Sequence, residues 1–319
     1  MNNTTETTSI VGACSTGINV SALKIGQTIG YNLILVVSLA GNSAIGVIVY
    51  KTLSLRKPVN YLIMNMAMSD LILPFITVPW FLVRLNASTA GHWHIGGPLG
   101  QALCKLVVYL PMVSYSVSSQ SLVLIAVDRF VAVVFPLRSP VIGRKLFPFV
   151  ITATWIIALA FHSPWFNSTK VDEFNGGSIC FTFSGGITSW HIAASIINYI
   201  IIVIIIVLLV ILYSIIVIKL KLQARPGEQS SNAEKKRARR NRKVLRMACA
   251  IVLAFSLCYV PMLTIGFMSL FPKIMSICGF YIFVSFATFM YHVNCAVNPI
   301  ICLIFSSNSR QGLKRLLKC

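Results

Sequence analysis

The chain has 319 residues, of which 56% are hydrophobic and only 11% charged. A soluble domain of this length carries roughly a quarter charged residues, so a water-soluble globule is excluded. The formal charge of +20 invites a nucleic-acid-binding reading, but the positions of the basic residues argue against it.

Crossing a bilayer core takes about 20 apolar residues per helix. Seven stretches reach that length, at roughly 26–50, 61–84, 103–127, 147–166, 191–218, 247–271 and 277–305. They predict an all-α membrane protein, a seven-transmembrane helix bundle over 25–305. It is preceded by a glycosylated extracellular N-terminus (1–24) and followed by a cytoplasmic amphipathic helix and tail (306–319). Met1 to Ile10 is polar and does not read as a cleavable signal peptide, so the first run is expected to act as an uncleaved anchor. No internal repeat and no soluble domain is visible.

The third run ends on Asp128-Arg129-Phe130, and the second contains Asp70. Charges at such depth are costly and mark function more often than packing. Between the fourth and fifth runs lies a long segment, 167–189. In it Ser178-Ile179-Cys180-Phe181-Thr182-Phe183 alternates between Gly176-Gly177 and Gly185-Gly186, which predicts a β-hairpin. Ahead of the sixth run, Glu234 to Arg246 is basic and helix-permitting, and clusters of this kind attract anionic lipid headgroups. After Phe305, Asn308 to Lys318 sets Leu313, Leu316 and Leu317 against Lys314, Arg315 and Lys318. That pattern predicts a short amphipathic helix 8 along the membrane surface, with membrane lipids as partners. Cys319 is a candidate palmitoylation site; as the last residue it is no prenylation signal.

Of the 27 Lys and Arg residues, 22 fall in the first three loops on one side and in the tail. The positive-inside rule makes that side cytoplasmic and puts the N-terminus outside. Glycosylation acceptors at Asn2, Asn3, Asn19, Asn86 and Asn167 all fall on the opposite side. So do Cys14, Cys104, Cys180 and Cys278, which allow three disulfide pairings. Cys249, Cys258, Cys295 and Cys302 fall within runs, where a thiol behaves as a small hydrophobe.

These features together resemble the rhodopsin-like (class A) G-protein-coupled receptors, over about residues 25–318. The resemblance rests on Gly41-Asn42; Met66-Ala67-Met68-Ser69-Asp70-Leu71; Trp93; Cys104; Asp128-Arg129-Phe130 with Pro136-Leu137; Trp155 and Pro164; Tyr213; Cys258-Tyr259-Val260-Pro261; and Asn298-Pro299. With Asp128 through Arg138 and the expected hairpin, the chain looks most like the neuropeptide-receptor branch. The expected disulfide is Cys104–Cys180, joining the third helix to the second outer loop, with Cys14–Cys278 as a second.

What the resemblance implies is a receptor without catalytic residues, which binds an extracellular ligand, most readily a neuropeptide. It would activate a heterotrimeric G protein, with arrestin as a further partner. Arg129, held at rest by Asp128, would meet the G protein when the sixth helix swings out. Phe130, Tyr213, Asn298 and Pro299 belong to the same switch, with Tyr259 and Pro261 as aromatic toggle and hinge. Asp70, Ser118, Asn294 and Asn298, with Asn42 nearby, would form an allosteric Na⁺ site; no other cofactor or metal is expected. Sodium is a hard cation that favours such oxygen donors.

The chain departs from the family pattern in four places: Phe130 and Tyr259 stand for Tyr and Trp, Ile205 for a fifth-helix Pro, and Cys302 for the last Tyr of the Asn298-Pro299 motif. Asn241 also stands where many relatives carry an acid that locks the arginine, so elevated basal signalling is expected. The amine-pairing acid is replaced by Pro111 and the retinal lysine by His292, which argues against an aminergic ligand and against a bound retinal. Ligand-contact candidates are Trp80, Met112, Tyr115, Trp165, Asn198, Tyr259, Met262, Thr288 and His292. Asp172 and Glu173 in the hairpin could pair with a basic peptide residue. Competing readings are a receptor for a lipid or other small non-amine ligand, a constitutively active receptor and, more remotely, a transporter. The transporter would want repeat symmetry and paired buried charges. No His-Glu-x-x-His or Gly-x-Ser-x-Gly motif suggests an enzyme.

Overall fold

A computed structural model describes residues 20–52, 58–86, 92–135, 143, 145–174, 177–182, 189–222, 232–268 and 278–316. Helices α1 (Val20–Lys51), α2 (Pro58–Asn86), α3 (Gly97–Val134) and α4 (Phe147–Ser168) come first in the chain. Strands β1 (Thr169–Phe174) and β2 (Gly177–Thr182) follow, then α5 (Ser189–Leu222), α6 (Asn232–Met268), α7 (Cys278–Phe305) and α8 (Ser307–Leu316). The first seven helices are long and apolar enough to cross a membrane. The chain is a multi-pass, seven-helix membrane protein with a short eighth helix.

The helices outrun the apolar stretches. α3 continues to Val134, so Asp128 and Arg129 lie within it with another helical turn beyond. α6 begins at Asn232 and takes in the basic segment. Backbone hydrogen bonding does not stop where hydropathy does; polar residues carry a helix beyond the bilayer once its turns are nucleated.

In lipid, apolar surface gives helices little reason to pair, so small residues and hydrogen bonds do the work. Gly41 of α1 shows the first device. A Cβ there would stand 2.7 Å from Cγ of Pro299, so only glycine lets α1 and α7 approach this closely. Hydrogen bonds supply the second. Asn42 Nδ2 donates to the Cys295 carbonyl at 2.9 Å, tying α1 to α7. Asn65 Nδ2 donates to Ser121 Oγ at 3.0 Å and to Thr154 Oγ1 at 3.2 Å, while its Oδ1 accepts from Trp155 Nε1 at 2.9 Å. One asparagine thus joins α2, α3 and α4.

Large apolar side chains of α5, including Ile204, Val207, Val210 and Ile211, are exposed on the bundle surface, where lipid would meet them. At one end of the bundle sits the expected hairpin, β1 antiparallel to β2 with Val171 opposite Cys180. A Cys104–Cys180 disulfide fastens it to α3. Val171 N donates to Gln101 Oε1 at 3.0 Å, and Trp93 N to the Ser178 carbonyl at 2.6 Å. α3 itself starts on Gly97 at φ +67°, a conformation that side-chain-bearing residues rarely adopt. At the other end α8 packs on α1, Gly312 against Ile48. Arg310 donates to the terminal α7 carbonyls of Leu303 and Ile304.

The disulfide closes 76 residues of sequence. Replacing Cys104 and Cys180 together by Ala is expected to cost about 2–5 kcal/mol of stability. A thermal melt of the protein in nanodiscs, with and without reductant, measures it. The wild type should become reductant-sensitive at the hairpin, and the double variant should not.

Candidate functional site

Under the hairpin, between α2, α3, α4, α5, α6 and α7, lies a cavity of about 510 Å³. Met112, Tyr115, Trp165, Asn198, Tyr259, Met262, Thr288 and His292 line it, as do Tyr199, Tyr291 and His162, which the sequence reading did not select. Trp80 is not among the lining residues; its ring lies 4.7 Å from that of Trp93. Asp172 and Glu173 are exposed on β1, outside the cavity wall. Among the described residues, no Asp, Glu, Lys or Arg lines the cavity.

Aromatic side chains build the floor. The rings of Tyr115 and Tyr259 are 4.2 Å apart, Phe255 stacks beneath, and Tyr291 meets Tyr259 edge-on at 5.4 Å. Tyr291 Oη donates to the Pro111 carbonyl at 2.9 Å. A proline interrupts the helical hydrogen bonding around it, and here a tyrosine from α7 uses a carbonyl of that region to hold α3.

The two cavity histidines differ. His292 Nδ1 lies 2.7 Å from the Thr288 carbonyl, which can only accept, so this nitrogen carries a proton. Its Nε2 faces Thr77 Oγ1 at 3.1 Å, a hydroxyl whose single proton is also within reach of the Leu73 carbonyl at 2.6 Å. The ring thus sits between α7 and α2. His162 on α4 is just as buried, at 2% exposure, yet its Nδ1 has no hydrogen-bond partner. The Tyr115 hydroxyl is likewise buried and unpartnered. The signal that singled out His292, an ionisable side chain in an apolar run, applied equally to His162.

Midway along the bundle, Asp70 is 2% exposed. Ser118 Oγ donates to its Oδ1 and Asn298 Nδ2 to its Oδ2, each at 2.7 Å. The carboxylate therefore bridges α2, α3 and α7. The Oδ1 atoms of Asn294 and Asn298 are buried without a partner. Asn42, by contrast, spends its amide on α1 and α7 backbone and on Ser38. A carboxylate, a hydroxyl and two unused amide oxygens suit a small hard cation. No cluster of three His, Cys, Asp or Glu side chains fit for a transition metal occurs among the described residues.

Toward the α8 end, Arg129 Nη2 and Nε reach a single oxygen, Asp128 Oδ2, at 2.5 and 3.1 Å. Phe130 packs on the neighbouring apolar cluster that contains Tyr213 and Cys302. The Tyr213 hydroxyl is buried with no partner, and Cys302 is buried beside Ile45, Val49 and Met247. Pro261 and Pro299 lie inside α6 and α7.

Several expected positions fall beyond the described residues: Asn2, Asn3, Asn19, Cys14 and Cys319, and the side chains of Asn86, Asn241 and Cys278. Asn167 is exposed in the last turn of α4.

Because His292 relies on Thr77, Thr77→Val should leave its Nε2 unpartnered at nearly constant volume. The expected loss is about 1–3 kcal/mol, read as a lowered melting temperature of the purified protein.

The sequence model for "7 transmembrane receptor (rhodopsin family)" matches residues 41–301. Among curated proteins, the chain is 30% identical over 244 residues to the RYamide receptor of Drosophila melanogaster, covering 72% of this chain but only half of that protein's length. It is 27% identical over 294 residues to somatostatin receptor type 5 of Rattus norvegicus (90% of this chain, 76% of that protein). With the human substance-K receptor it shares 26% over 300 residues (91% and 72%). A match across most of the bundle, joined to seven spans, a disulfide-fastened hairpin, a buried α2 carboxylate and a charged pair in α3, makes the chain a member of the rhodopsin family of seven-transmembrane receptors.

Proposed function

We propose that this receptor sits in the plasma membrane with the hairpin outside, binds an extracellular peptide in the cavity, and activates a heterotrimeric G protein at the α8 end. The observation that carries the reading is the placement of two features. An open cavity lies beneath the hairpin, and the Asp128–Arg129 pair lies near the opposite end of the same α3 helix. Relatives named as receptors for RYamide, somatostatin and substance K support a peptide as the ligand. The basic side, with Lys51, Arg310, Lys314 and Arg315, becomes cytoplasmic by the positive-inside rule.

Coupling between the ends follows from the packing. Tyr259 lies on the cavity floor and Pro261 is in the same helix, one turn or less away. A ligand that presses Tyr259 against Tyr115 and Phe255 would shift α6 about the weakened hydrogen bonding at Pro261. Outward movement of the far end of α6 would uncover Arg129, whose only salt bridge among the described residues is to its neighbour Asp128. That bond lies within α3 and does not itself hold α6.

Asp70, Ser118, Asn294 and Asn298 would hold Na⁺, whose charge balances the buried carboxylate. These side chains come from α2, α3 and α7, so a cation bound there favours the arrangement that keeps the three helices together.

A second reading, a lipid or other small non-amine ligand, draws on the cavity's largely apolar lining. Cyclic AMP and calcium responses of expressing cells to RYamide, somatostatin and substance K separate the two. A saturable peptide response that Arg129→Ala abolishes, at unchanged surface expression, is expected. Silence to peptides alongside a response to lipid extracts would favour the second reading.

Sodium should lower agonist affinity by roughly fivefold or more when it replaces N-methylglucamine, within the usual range of allosteric coupling. Asp70→Asn should remove that dependence in a radioligand competition assay.

A further inference from the structure

Helices α4 and α5 both pack on α3, and α5 also meets α6, yet α4 and α5 make hardly any contact with each other. In lipid, apolar surfaces alone give two helices little reason to close such a gap. The hairpin end of α5 shows the result. From Ser189 to Ile201 no described residue of α5 is buried, and Ile202 is the first that is. Ser195 lines the cavity and is nevertheless exposed. A residue that meets the cavity on one side and the outside on the other marks a place where the wall is open. Ser195 lies within the apolar span Ile192–Lys219, so this opening between α4 and α5 faces the bilayer.

Helix α3 forms the back of the opening. Lys105, Met112 and Ser116 are spaced two turns and one turn apart, so they share one face, and all three are half-buried. Met112 lines the cavity. Lys105 stands about 10 Å nearer the hairpin along the helix axis. Its Nζ lies 4.8 Å over the Phe166 ring of α4, and among the described residues no carboxylate pairs with it. On the far side of Met112, Gln120 Nε2 donates to Ser116 Oγ at 3.1 Å and to the Thr154 carbonyl at 3.3 Å, which ties α3 to α4 beneath the opening. A cation therefore sits at the headgroup side, an apolar passage follows, and the cavity lies behind it. A phosphate followed by an acyl chain has the same order of chemistry. A peptide entering by this route would carry unsatisfied backbone amides through hydrocarbon.

We propose that a phospholipid of the leaflet on the hairpin side binds here, with its phosphate at Lys105 and one acyl chain passing between α4 and α5 into the cavity. The bilayer then supplies a resident occupant on the α4–α5 side of the cavity, whichever ligand enters beneath the hairpin.

The test uses the full chain in phosphatidylcholine nanodiscs that contain a phosphatidylcholine with a diazirine at the end of one acyl chain. After illumination, adducts are mapped by mass spectrometry. Met112, Trp165 and Ile202 should be labelled, along with Ile204 and Val207, which are exposed on the bundle surface and report that the helices are inserted in lipid. Met112→Trp should abolish labelling of Trp165 and Ile202 and spare Ile204 and Val207. Ser195→Trp narrows the same mouth from α5 at an exposed position, outside the packed core, and should act alike. Lys105→Gln, which removes the charge-assisted contact to phosphate, should reduce cavity labelling several-fold. Labelling confined to outward-facing residues overturns the proposal. So does cavity labelling that persists in both tryptophan variants, which would mean entry by another route, or that is unchanged by Lys105→Gln. No agonist enters the experiment, so its outcome is separate from that of the cellular screen.

Discussion

The bundle is organised around a carboxylate that cannot reach water. Asp70 is buried to 2% exposure at mid-depth, and a lone acid in an apolar helix is unfavourable unless its oxygens are satisfied. Ser118 and Asn298 satisfy them, which requires α3 and α7 to stand against α2 at fixed heights. The neighbouring ties follow suit. Ser114 Oγ donates to the Ser69 carbonyl, and Asn42 secures α1 to the Cys295 carbonyl of α7. Gly41 lets Pro299 come close enough for that approach. Where lipid offers apolar helices no preference for one another, such polar contacts select one arrangement.

This seam also divides the molecule into two chemically different ends. Toward the hairpin the helices separate around a tyrosine-rich cavity. Toward α8 they close on an apolar cluster in which Tyr213, Met247, Ile251 and Cys302 pack together. Only α3 carries both a cavity wall and the Asp128–Arg129 pair, so it is the post that runs from one end to the other. Tyr291 strengthens that post from the cavity side by its bond to the Pro111 carbonyl. A residue that excludes an amine-binding acid thus acquires a structural partner in the same stroke.

The departures from the family pattern have local consequences. Cys302 is short and buried, and it forms no bridge to the Tyr213 hydroxyl, which stands unpartnered in the apolar cluster. Thiols are weak hydrogen-bond donors, so the two positions interact through packing alone. Tyr259 is smaller than Trp, yet it fills the floor because Tyr115, Phe255 and Tyr291 close around it. α5, with Ile205 and without an internal proline, runs from Ser189 to Leu222 as one helix.

Much of the architecture was legible in the chain itself. Bilayer thickness sets the length of an apolar run, and alternation between glycine pairs marks a hairpin, so the seven spans and the β-ribbon follow from local rules. Asp70 and Asp128-Arg129 stood out because a charge in an apolar run is unfavourable wherever the helix later packs. The lining of the cavity was legible only in part. Trp80 and Met112 looked equivalent as apolar-run residues, but helix rotation turns Trp80 onto Trp93 and Met112 inward. His162 and His292 differed even less in sequence. Their difference arises because Thr77 and the Thr288 carbonyl happen to stand beside one ring and nothing comparable beside the other. Composition and spacing determine that a helix forms and crosses the membrane. Which of its faces meets which neighbour, and so which polar atoms find partners, is decided only when seven helices pack together.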